Sequence, residues 1–125
     1  HFWRDGERRI ARYDPAIPPV RRMPEGAFDL VLVCDVMEHI PMAAVDHVLG
    51  EIKGKSEAAF FTISTKLARA KLPDGRNSHV TLLRHSEWVR WIKDYFQKVE
   101  TLPATSEHEL VLLAGHRAIA QRRAA

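Results

Sequence analysis

The sequence predicts an α/β domain: an open, mostly parallel sheet with helices on both faces and an antiparallel strand pair at its C-terminal end. Three observations predict it. Leu30–Cys34 is continuously apolar and mostly aliphatic, the pattern of a strand covered on both faces. After Pro41, the residues Met42, Val45, Val48, Leu49 and Ile52 recur at steps of three and four, which places them on one face of a helix. A second buried strand follows at Ala58–Ser64. Strand, helix, strand is a parallel crossover, right-handed almost without exception.

The remaining elements are read in chain order. Residues 1–8 are polar. Arg9–Tyr13 is a short candidate strand ending at Asp14-Pro15, and Pro15, Pro18, Pro19 and Pro24 then exclude helix up to Gly26. This stretch reads as an extended crossover leading to the strand at Phe28. Gly54 is the expected terminator of the first helix. Ser86–Phe96 is an amphipathic helix with Val89, Ile92 and Phe96 on one face and Trp88, Trp91 and Tyr95 beside it. Aromatics at this spacing read as core before they read as a platform for stacking bases. Lys98–Leu102 and Glu109–Ala114 complete the domain as an antiparallel pair at a sheet edge. The chain reads as one domain over 1–125, with 116–125 as a disordered tail.

Composition sets outer bounds. The 125 residues, 46% apolar and 28% charged, suit a single soluble domain with a real core. A net charge of +3 permits an anionic partner without demanding one. Cys34 is the single cysteine, so no internal disulfide forms and a reducing compartment is expected. No apolar run approaches the roughly 18 residues of a membrane span. The expected location is the cytoplasm.

Chemistry concentrates where the first buried strand ends. Within five residues come Asp35, Glu38 and His39. Open α/β sheets place ligands in the crevice beyond the carboxyl ends of their strands. The plainer alternative is a solvated helix start with Asp35 as N-cap. The spacing i, i+3, i+4 would group all three side chains on one face of a helical turn. His79 lies on the loop after the next strand, and parallel neighbours bring such loops to the same sheet end.

That loop, Thr65–His85, is the longest stretch without a clear period, and long connections of this kind are usually functional or disordered. It carries Lys66, Arg69, Lys71, the turn Pro73-Asp74-Gly75, Arg76, Asn77 and His79. A functional lid and a mobile tether are the two readings. The four cations are compatible with a phosphate-bearing substrate and equally with a solvated basic loop.

Tyr-Asp-Pro-Ala-Ile-Pro, Asp-Val-Met-Glu-His-Ile-Pro and Leu-Pro-Asp-Gly-Arg-Asn-Ser-His carry a resemblance. With the element order, they resemble the C-terminal two-thirds of a class I S-adenosylmethionine-dependent methyltransferase, over about residues 9–115. More narrowly they resemble bacterial and phage methyltransferase-like proteins of unassigned substrate. The resemblance implies a Rossmann-like fold whose first strand and glycine-rich loop are missing from these residues. It therefore implies an N-terminally incomplete domain, whose exposed strand edges favour self-association. The alternative is a non-catalytic Rossmann-like remnant that serves as a binding module.

The same resemblance implies roles. Asp14 would accept hydrogen bonds from the cofactor's ribose hydroxyls, where the residues alone read as a turn-forming Asp before Pro. Cys34 and Asp35 would border the sulfonium, and Asp35, Glu38 and His39 would be catalytic. The acceptor is unidentified; a hydroxyl, and a phosphate-bearing substrate or RNA, are compatible. Asp35, Glu38, His39 and His79 also resemble the divalent-metal site of the small-RNA 2′-O-methyltransferases, which carry Glu where this chain has Asp35. Mixed oxygen and nitrogen ligands suit Mn²⁺ better than Mg²⁺. Many methyltransferases carry a similar Glu-His pair without metal, with the His as base.

Overall fold

A computed structural model describes residues 10–115. The elements are β1 (Val31–Cys34), α1 (Met42–Lys55), β2 (Ala59–Ser64), α2 (His85–Lys93), β3 (Val99–Leu102) and β4 (Glu109–Ala114), with short 3₁₀ turns at Pro18–Val20 and Met37–His39. They form one four-stranded sheet in the order β1-β2-β4-β3. β1 runs parallel to β2, with Val33 beside Phe61. β4 lies antiparallel between β2 and β3.

The core follows from strand alternation. Val33, Phe61, Ile63, Leu110 and Leu112 lie on one face and bury against Val45, Leu49 and Ile52 of α1 and Trp88 and Ile92 of α2. Each of the large side chains contributes about 2 kcal/mol by leaving water. The helices also touch each other. Asp46 of α1 accepts hydrogen bonds from Trp91 Nε1 (2.7 Å) and Tyr95 Oη (2.6 Å). The aromatics therefore serve the core and the helix contact. The stacking-platform reading falls, because Trp88 is fully enclosed and Trp91 and Tyr95 are tied to Asp46.

Three expectations need correction. First, two of the three strand pairings are antiparallel, so the described sheet is mixed rather than mostly parallel. Second, both described helices pack on one face. The other face presents Leu32, 63% exposed, in the same row as Phe60 and Leu113. A continuous apolar run does not report which face a helix covers. Third, residues 10–13 of the expected strand Arg9–Tyr13 form none; Arg9 itself, like 116–125 and its expected tail, lies outside the described residues. Among the described residues nothing pairs with the outer edge of β1, so that stretch has no ladder to join.

Boundaries moved for local reasons. α1 continues through Gly54 and stops at the extended Ser56. α2 begins at His85, where the Arg84 N–H donates to the Glu87 carboxylate three residues on.

Candidate functional site at the end of β1

After Cys34 the chain turns sharply. Asp35 has φ of 57°, a left-handed conformation that few non-glycine residues adopt. Its N–H donates to the Thr62 carbonyl at 2.9 Å. Its carboxylate accepts from the Thr62 hydroxyl at 3.2 Å. The 3₁₀ turn therefore starts at Met37 rather than at Asp35, and the single helical face expected for Asp35, Glu38 and His39 does not form. Asp35 is held against β2, apart from the other two.

Glu38, His39 and His79 do come together. One potential ligand atom from each lies within 4.8 Å of the others. The two imidazole rings meet edge to face, with centroids 4.8 Å apart. Glu38 is 1% exposed, and its Oε1 has no hydrogen-bond partner among the described residues. A buried carboxylate oxygen without a donor is costly and calls for a compensating partner.

The ring hydrogen bonds decide what the imidazoles can do. His39 Nδ1 lies 2.9 Å from the Ser78 carbonyl, and His79 Nδ1 lies 2.6 Å from the Lys66 carbonyl. A carbonyl only accepts, so each Nδ1 must carry the proton and each neutral ring keeps its lone pair on Nε2. Two such rings beside a buried carboxylate are residue types that could hold a transition ion. The 4.8 Å span exceeds the roughly 3.0–3.5 Å between adjacent ligand atoms around one ion. Small side-chain rotations would therefore have to close it.

The loop that brings His79 is folded upon itself. Lys71 pairs with Asn77 as a single β-bridge around a turn whose Gly75 has φ of 89°. Thr81, 1% exposed, donates its hydroxyl to the Ile40 carbonyl at 2.6 Å and its N–H to the Glu38 carbonyl at 3.1 Å. Both the lid and the tether reading assumed a loop without internal structure, and this one is stapled to the Glu38–Ile40 turn. Lys66, Arg69 and Lys71 are exposed on it, whereas Arg76 pairs with Asp74 at 2.7 Å.

The other expected site residues stand as follows. Asp14 is half-buried, and its Oδ1 accepts from the Ala16 N–H at 2.9 Å, the turn-forming arrangement of an Asp before Pro. Cys34 is an exposed free thiol at the end of β1. Nothing in the sequence marks Thr62 or Thr81 for their roles, since neither belongs to a recognisable pattern. Beside the loop, Thr65, Leu83, Arg84, His85 and Glu107 line an open concavity of about 530 Å³.

No family model matches the chain, and no curated protein sequence does. Two solved structures of the N-terminal domain of EvdMO1 are similar, one with SAH bound and one in the presence of SAH and D-fucose. Each is 15% identical over 71% of this chain, with a TM-score of 0.47. The chain covers 47% and 46% of those structures, less than half their length. No described helix is long and apolar enough to cross a membrane.

Proposed function

We propose that this chain forms part of an S-adenosylmethionine-dependent methyltransferase that methylates a hydroxyl, with Glu38, His39 and His79 at its reacting end. One observation carries the reading: Glu38, buried and with its Oε1 unpartnered, belongs to a cluster with two imidazoles whose Nδ1 protons are already committed. It stands at the carboxyl end of a parallel strand, within the Asp-Val-Met-Glu-His-Ile-Pro run that resembles the methyltransferases.

The chain's own residues would work as follows. A hydroxyl acceptor must lose its proton as the methyl carbon is attacked in line, and His39 Nε2, on an exposed ring, is placed to take it. Glu38 stabilises the imidazolium that results. Asp35, fixed by Thr62, and Cys34 would border the sulfonium, and Asp14 would accept from the ribose hydroxyls. S-adenosylmethionine supplies the electrophilic methyl group. In the alternative in which Glu38, His39 and His79 hold a Mn²⁺-class ion, His39 Nε2 would be a ligand rather than the base, and the ion would lower the hydroxyl pKa in its place. The exposed Lys66, Arg69 and Lys71 favour an acceptor that bears phosphate, such as RNA.

The test is methyl transfer from labelled S-adenosylmethionine to RNA by the full-length gene product, with chelator and with added Mn²⁺. His39→Ala should abolish transfer. Activity indifferent to chelator and to His79→Ala would remove the metal and leave His39 as base. Absence of both transfer and S-adenosylhomocysteine binding would leave the strand end as part of a binding module.

A further inference from the structure

We propose that Asn77 is the positioning residue of this site, holding both imidazoles in the tautomer that presents Nε2. The inference rests on the reading of Glu38, His39 and His79 as the reacting group, and concerns how their geometry is maintained. The Asn77 side chain closes the loop from within. Its Oδ1 accepts from the Ala68 N–H at 2.9 Å and from the His79 N–H at 3.0 Å, and its Nδ2 donates to the Ala68 carbonyl at 2.8 Å. Donor and acceptor ends have different partners, so only one orientation of the amide satisfies all three bonds.

These bonds sit next to the atoms that set the rings. Asn77 clamps Ala68, two residues after Lys66, whose carbonyl receives the His79 Nδ1 proton. It also fixes the backbone on both sides of Ser78, whose carbonyl receives the His39 Nδ1 proton. One side chain thus bridges the two stretches that carry both carbonyls. Without it, the Nδ1 donors lose fixed acceptors, and neutral imidazole is free to protonate on Nε2, the nitrogen the site needs bare. Outer-shell partners of this kind typically change metal affinity about 10–100-fold.

The experiment is ¹⁵N NMR of histidine-labelled protein at about pH 8, where free imidazole is neutral, together with Mn²⁺ titration. In the unaltered protein His39 and His79 should both be Nδ1–H tautomers. Asn77→Ala should shift them toward Nε2–H and weaken Mn²⁺ binding at least tenfold. Asn77→Asp keeps the acceptor bonds to Ala68 and His79, lacks the donor, and should fall between. Ser78→Ala keeps the carbonyl and should behave as the unaltered protein. Nε2–H tautomers in the unaltered protein would overturn the proposal without any variant. So would Asn77→Ala rings and affinity that match it. Should the protein take up no Mn²⁺ while Asn77→Ala still shifts the tautomers, the metal reading falls and the positioning role stands.

Discussion

His39 and His79 meet edge to face at 4.8 Å although they come from different loops, one following β1 and the other following β2. Parallel pairing of those strands puts both loops at one end of the sheet, and Thr81 ties the second loop to the first. The Glu38 carboxylate clustered with them is therefore expected to matter as a charge. Glu38→Gln keeps the shape and removes the charge. It should cost at least about tenfold in Mn²⁺ affinity, about 1.4 kcal/mol, while melting within a few degrees of the unaltered protein. Unchanged affinity, read by calorimetry, would take Glu38 out of the ligand set.

The parts of this arrangement that depend on period were legible in the sequence. β1, α1, β2 and the β3–β4 pair all lie where the apolar runs and spacing put them, with α1 burying a face of repeat 3.6 residues and β2 one of repeat 2. Meeting of Glu38 and His39 with His79 was legible too, through the parallel crossover. What could not be read depends on backbone conformation and on which face a helix covers. The left-handed turn at Asp35 withdraws a carboxylate that linear spacing would have grouped with the others. Leu32 is as apolar as Val33, yet one faces solvent and the other the helices. Asn77 could be seen only as a loop residue, since its three partners are set by the fold of the loop.

The outer edge of β1 should drive association. Val31 and Asp35 aim their N–H groups at β2, so by alternation Leu32 and Cys34 aim theirs outward. No described strand pairs with that edge, and Leu32 is 63% exposed beside it. The 125-residue chain is expected to sediment as a dimer or larger species, and Leu32→Lys to shift it toward monomer. A monomer that melts in one sharp transition would refute this.

Cofactor affinity of the same 125 residues should be low. Their glycines lie at 6, 26, 50, 54, 75 and 115 and form no Gly-x-Gly pair. Backbone that approaches a cofactor closely needs glycine. Losing about four contacts of roughly 1 kcal/mol each moves a micromolar site toward millimolar. Calorimetry with S-adenosylhomocysteine should show no saturation in the low micromolar range. Tight binding there would mean that Asp14, Cys34 and Asp35 suffice.

Gly115 closes β4 where only glycine fits. Its φ is +66°, and a Cβ there would stand 1.9 Å from the Glu57 carbonyl oxygen. Its N–H donates to the Lys98 carbonyl at 2.7 Å, so the backbone cannot withdraw without breaking the β3 side of the hairpin. Gly115→Ala should destabilise the fold by about 2–4 kcal/mol, lowering Tm by about 8–15 °C. A shift of one or two degrees would show that this corner relaxes freely.

The α1–α2 contact should report its own pH limits. Hydrogen bonds from Tyr95, then Trp91, hold the Asp46 carboxyl below its ordinary value. The same bond to Asp46 pushes the Tyr95 hydroxyl from 10.0 up to about 12. A lowered acid stabilises the fold above its unfolded value, and that contribution is lost as pH falls through the folded one. A raised tyrosine contributes fully below its unfolded value, and loses that contribution as pH climbs from 10 through about 12. Both groups lie at the surface, so the energies are small and the titration itself is the better readout. In a Tyr13→Phe background the phenolate absorbance of Tyr95 should rise with a midpoint near 12, and Asp46→Asn should bring it down toward 10. A midpoint near 10 before Asp46 is changed would mean that the bond from Tyr95, just after α2, to α1 does not persist in solution.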